Sequence, residues 1–132
     1  MRVLAALFLC VIGCFPMSPV ESHLDQKLKT WQRRLGMDEW RLTVRIVRQK
    51  ELDKNTWGHA EWDPEEKTGT ISILDPMDYN LKGGDLRLDM ECTIVHELVH
   101  IQVSPFDAPS DNVREDVVNR LMQALLNRPC PN

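Results

Sequence analysis

Residues 96–100 read His-Glu-Leu-Val-His, inside the longer run Glu91-Cys92-Thr93-Ile94-Val95-His96-Glu97-Leu98-Val99-His100-Ile101. Two histidines and a glutamate in an apolar stretch require an explanation, because each buried polar group left unpaired costs about 1–3 kcal/mol. On a helix, residues four apart lie about 40° from one another, so His96 and His100 project from one face at adjacent turns. That spacing lets both imidazoles reach one ion at about 2.0–2.1 Å, and Glu97, beside the first, is placed to hold a water and take its proton. Met90, Ile94, Val95, Leu98, Val99 and Ile101 cover the other sides of this helix. A helix apolar nearly all round is a buried central element, and its polar strip lines an interior site.

The rest of the chain is read outward from this helix, which spans about Asp85 to Val103 and is stopped by Ser104-Pro105. Upstream, Leu24, Leu28, Trp31 and Leu35 recur at helical spacing, with Gly36 placed to end the element. Trp40–Val47 alternates and is rich in β-branched residues, which predicts a strand with one buried face. Gly58–Trp62 and Thr70–Leu74 flank the turn-forming stretch Asp63–Gly69 and predict a hairpin. A last helix is expected from about Ser110 to Asn127, with Val117, Val118, Leu121, Met122, Leu125 and Leu126 as its buried stripe. The expected architecture is α+β: a small antiparallel sheet packed on the central helix, with an N-terminal and a C-terminal helix.

A zinc ion held by two histidines takes a third protein ligand and keeps one position open. No histidine follows His100, so the downstream candidates are Asp107, Asp111, Glu115 and Asp116. At 100° per residue Glu115 falls at the edge of the apolar stripe of the last helix, and Asp116 falls on the opposite side. Glu115 is therefore the expected third ligand. Asn119, one turn later on the same flank, is expected to orient it.

This set resembles the gluzincin metallopeptidases, the thermolysin-like group, and residues 24–128 look like their minimal single-domain members. The resemblance implies a zincin-like fold and a zinc-dependent peptidase: His96, His100 and Glu115 hold Zn2+, and Glu97 is the general base and acid. It also implies that Gly58–Trp62, with His59, Ala60 and Glu61, is the edge strand that pairs with an extended peptide. The His or Tyr that stabilises the transition state in larger members has no matching motif here. Tyr79 and His59 are the local candidates for that oxyanion role. The competing expectation is a protein that binds zinc but is latent, or a non-proteolytic binding module.

Composition narrows the partners. With 132 residues and a net charge of −4, the chain is expected to form one domain. It has no basic block interleaved with aromatics, which argues against nucleic acid. A monomer acting on peptide or protein is expected. The run Val3–Ile12 is too short to span a membrane and matches the apolar core of an export signal, so residues 1–22 are expected to be signal and linker and 23–132 the domain. Val11-Ile12-Gly13-Cys14 resembles a lipoprotein cleavage box, which would anchor the protein through Cys14; a cut between Cys14 and Ser22 would instead release it. An internal strand in a cytoplasmic protein is the alternative. Cys92 and Cys130 either form one disulfide or remain a buried thiol and a free one.

Overall fold

A capping box opens the first helix of the computed structural model, which describes residues 16–132. The export-signal run and Cys14 lie outside the described residues. Helix α1 spans Pro19–Arg34: Ser18 Oγ accepts from Glu21 N at 3.2 Å, and Glu21 Oε2 accepts from Ser18 N at 2.9 Å. The helix thus begins five residues before Leu24, the start expected from apolar periodicity. Gly36, at φ 67°, follows its end as expected.

Strands β1 (Arg41–Val47), β2 (Gly58–Asp63) and β3 (Thr68–Leu74) form one sheet in the order β1-β3-β2. The β2–β3 hairpin is antiparallel, with Gly58 opposite Ile73 and Asp63 opposite Thr68. The β1–β3 pair is parallel, Arg41 opposite Thr68 and Val47 opposite Leu74. The expected all-antiparallel sheet is therefore corrected to a mixed one. Residues 48–57, including a 3-10 turn at Gln49–Glu51, carry the chain past the position that β3 fills. This leaves β2 on one edge, while β3 is central, with Ile71, Ser72, Ile73 and Leu74 all buried.

Helix α2 (Gly83–Val103) is the centre of the domain and packs on α1, β2, β3 and α3 (Asp111–Leu126). Ile94, Val95 and Leu98 meet Leu24 and Leu28 of α1, Ile71 and Ile73 of the sheet and Val118 of α3 in one core. The expectation of a helix apolar on nearly all sides holds. Ser110 caps α3 by accepting from Val113 N at 3.3 Å, and Asn127 ends it in the left-handed conformation at φ 53°. The expected stripe of α3 is corrected. Val118 and Met122 are buried, but Val117, Leu121 and Leu125 are 44%, 42% and 40% exposed. Among the described residues α2 is the main neighbour of this helix, and half of its apolar residues face outward.

Two polar networks pin the helices. Buried Glu91 accepts from Trp31 Nε1 and pairs with Lys27 Nζ, both at 2.8 Å. Burial pushes its pKa up, but the Lys27 and Trp31 bonds outweigh that and hold it below the usual value. After α3, the tail returns along α2 through three contacts: Arg128 Nη2 lies 3.8 Å from Glu91, Cys130 is disulfide-bonded to Cys92, and Asn132 N donates to Asp89 Oδ1 at 3.2 Å. The two cysteines left open by sequence are thus paired.

Candidate metal centre

One face of α2 forms the floor of a cleft of about 770 Å³, lined along that helix by Asp89, Cys92, Thr93, His96, Glu97 and His100. Edge strand β2 forms one wall, with His59, Ala60, Glu61 and Trp62; Glu115, Asn119 and Met122 of α3 form the opposite one. Cys130 and Asn132 of the tail line the cleft as well. His59, Ala60 and Glu61 thus lie on an edge strand and line the cleft.

His96, His100 and Glu115 offer one ligand atom each within 4.8 Å of one another and can together hold a metal ion. Their edges are 3.1 Å between the two Nε2 atoms, 2.8 Å from His100 Nε2 to Glu115 Oε1, and 3.5 Å from His96 Nε2 to Glu115 Oε2. Donors about 2.0–2.1 Å from a tetrahedral ion are ~3.3–3.4 Å apart, so the triangle has the size such an ion needs. Glu115 is contributed by the inward line of α3 that also carries Val118 and Met122, so its helical phase is the expected one although the buried stripe is narrower than expected. Asp116 instead pairs with Arg120 at 2.8 Å on the exposed side.

Asn119 serves a different partner from the one expected. Its Oδ1 lies 3.1 Å from His96 Nδ1, not on Glu115. An amide oxygen only accepts, so Nδ1 carries the proton and the Nε2 lone pair faces the triad. Burial and the neighbouring His100 lower the pKa of His96, favouring the neutral imidazole that a metal requires.

Glu97 is 8% exposed and forms no hydrogen bond or ion pair among the described residues. Burial, reinforced by the Glu115 charge, pushes its pKa up to about 7. Gly58 makes room for it: a Cβ there would collide with Thr93 Cγ2 and lie 3.0 Å from Ser72 O and 3.5 Å from Glu97 Oε1. Only glycine lets the first residue of β2 approach α2 so closely. Tyr79 is not brought to the site. It is not among the cleft-lining residues, and its hydroxyl is buried near Asp89 without a regular hydrogen bond. Burial, then the Asp89 charge, raises its pKa. His59 is the candidate oxyanion donor that does line the cleft, with Nε2 3.9 Å from Glu61 Oε1.

Two lining features escaped the sequence reading. Asp89 precedes His96 by seven residues, two helical turns, a spacing that could have placed it on the same face. Residues 130–132 carry no periodic signal, and only the cysteine count pointed to them. Comparison with protein-family models, with curated proteins and with solved structures finds no match.

Proposed function

We propose that this chain is a zinc-dependent peptidase of gluzincin type. The observation that carries the reading is the closed His96–His100–Glu115 triangle beside Glu97, a buried carboxylate with no partner among the described residues. Two neutral nitrogens and one carboxylate are a donor set suited to catalytic zinc. Zinc bound there supplies a Lewis acid that polarises a peptide carbonyl and acidifies nearby water. Glu97, with its pKa near neutrality, accepts the proton of the attacking water and returns it to the leaving amine. Asn119 holds the His96 ring, and Gly58 keeps the strand wall against Glu97. The free edge of β2 offers backbone groups to an extended substrate, with His59 and Glu61 alongside.

A second reading, a zinc-binding module that is latent or does not cleave, is favoured by one observation: Tyr79 does not line the cleft and its hydroxyl is buried, leaving His59 as the lining candidate for oxyanion donor. Elemental analysis with hydrolysis of quenched peptides separates the two. The peptidase reading requires stoichiometric zinc and a rate that Glu97→Gln removes while retaining the metal. Glu115→Ala must weaken zinc by orders of magnitude, with Asp116→Ala near neutral. Zinc without hydrolysis leaves the binding module, and full occupancy in His100→Ala overturns both. Export is part of the proposal, supported by the Cys92–Cys130 disulfide, since such bonds persist in oxidising compartments. The mass of the mature protein tests it: a start at Cys14 with added lipid marks an anchored enzyme, a start between Met17 and His23 a secreted one, and an intact Met1 refutes export.

A further inference from the structure

Among the described residues, the cleft is lined by six carboxylate side chains, those of Glu51, Asp53, Glu61, Asp89, Glu97 and Glu115, and by no lysine or arginine. The described residues form six Lys or Arg ion pairs, and none involves a cleft carboxylate. Lys27, Lys29, Arg48, Lys67, Arg120 and Arg128 are thus matched elsewhere, to Asp25, Glu39, Asp78, Glu91 and Asp116. Lys50 and Lys54 adjoin Glu51 and Asp53 in sequence but do not line the cleft. A divalent ion in the triad offsets two charges, those of Glu97 and Glu115. Four acids remain, three at the mouth and Asp89, 3% exposed, at the floor.

We infer that the cleft selects peptides carrying lysine or arginine side chains near the bond presented to Glu97, with Glu51, Asp53 and Glu61 as the groups that recognise them. This rests on the peptidase reading for the site itself and adds the substrate class. Glu61 lies on the edge strand, so a peptide paired with β2 brings its own side chains beside that carboxylate. Glu51 and Asp53, from the connection between β1 and β2, extend the same negative wall. Low-dielectric cleft walls focus such a field and draw cationic ligands in. Asp89 lies about 10 Å along α2 from His96. Its Oδ1 is occupied by the Asn132 N–H, so it deepens the negative potential of the floor without serving as the first contact.

The test uses zinc-loaded Glu97→Gln protein and fluorescent peptides of equal length bearing lysine, glutamine or glutamate at the same positions, read by anisotropy. The lysine peptide should bind about tenfold tighter than the glutamine peptide, and the glutamate peptide more weakly still. That advantage should shrink as salt rises from about 50 to about 500 mM. Neutralising the mouth with Glu51→Gln, Asp53→Asn and Glu61→Gln together should abolish the preference, so that lysine, glutamine and glutamate peptides bind alike. Glu61→Gln alone, on an exposed edge, should remove part of it. Equal affinities for lysine and glutamate peptides, or a preference that survives the triple substitution, overturn the inference. Binding of cationic peptides that wild-type protein never hydrolyses refutes the peptidase reading alone. Hydrolysis indifferent to charge refutes this inference alone.

Discussion

Removing the Cys92–Cys130 bond should cost much of the domain's stability. The bond closes a loop of 38 residues that includes half of α2 and all of α3, the two elements that carry His96, His100 and Glu115, the candidate metal-binding group. For a loop of that length, the chain-entropy model gives about 4 kcal/mol at 25 °C, within the roughly 2–5 kcal/mol typical of native disulfides. Domains of this size are stable by only about 5–15 kcal/mol. The other two tail contacts do not compensate: Arg128 is largely exposed and 3.8 Å from Glu91, and the Asn132–Asp89 bond ties down a single backbone amide. Cys130→Ser is the cleaner substitution, since Cys92 is buried and a hydroxyl there would add a desolvation cost of its own. Urea unfolding should show a lower midpoint and a larger m-value, because the unfolded chain expands once the link is gone. A reductant should bring the wild type to the variant's midpoint and leave the variant unmoved. Coincident curves for wild type and Cys130→Ser, with or without reductant, would refute the reasoning.

Three further outcomes are expected. Gly58→Ala should destabilise by about 1–3 kcal/mol through the clash with Thr93 Cγ2; Thr93→Ser, which lacks that methyl, should recover most of the loss in a double variant followed by thermal unfolding. Asn119→Ala should weaken zinc about 10–100-fold in a competition titration by freeing the His96 ring, with little change in the unfolding of the metal-free protein. Asp78 accepts two bonds from Arg48 and one from Gln49 N, and the Arg48 bonds lead in lowering its pKa from 3.8 to about 2. A carboxyl with a depressed folded-state pKa stabilises fully above the unfolded value and loses that contribution as pH falls through the folded one. The midpoint gap between wild type and Asp78→Asn should therefore be constant above about pH 4 and close toward pH 2.

Helix α2 was readable because its polar residues violate an apolar background at a spacing only one geometry explains. Glu115 was readable because helical phase carries it to the same side as Val118. Other features depended on what lies across space. Ser18-Pro19-Val20-Glu21 is a helix-start signal in its own right, but it lies outside the apolar repeat, which begins only at Leu24. Val117 and Leu121 look as buried as Val118 and Met122 by period; which line faces α2 depends on a partner helix whose placement periodicity does not encode. The parallel pairing of β1 with β3 joins residues 27 apart in sequence, such as Thr43 and Thr70, and no local pattern distinguishes it from a meander. The phase of α3 gives the flank of Asn119 but not its partner, because the side chains of His96 and Glu115 converge on one point.

The position of β3 between β1 and β2 also sets an order of events during synthesis. Neither earlier strand hydrogen-bonds to the other, so both wait without a ladder until Thr68–Leu74 leaves the ribosome. Non-local pairing of this kind is slow, because the loop must close before any bond forms. The late strand, Thr-Gly-Thr-Ile-Ser-Ile-Leu, has no charge and no proline to discourage pairing with another chain. Once enclosed by β1 and β2, its edges are both occupied; before that, it is the segment of this domain most able to seed aggregation. Variants that delay the β2–β3 hairpin should accordingly lower soluble yield more than they lower the stability of the protein that does fold.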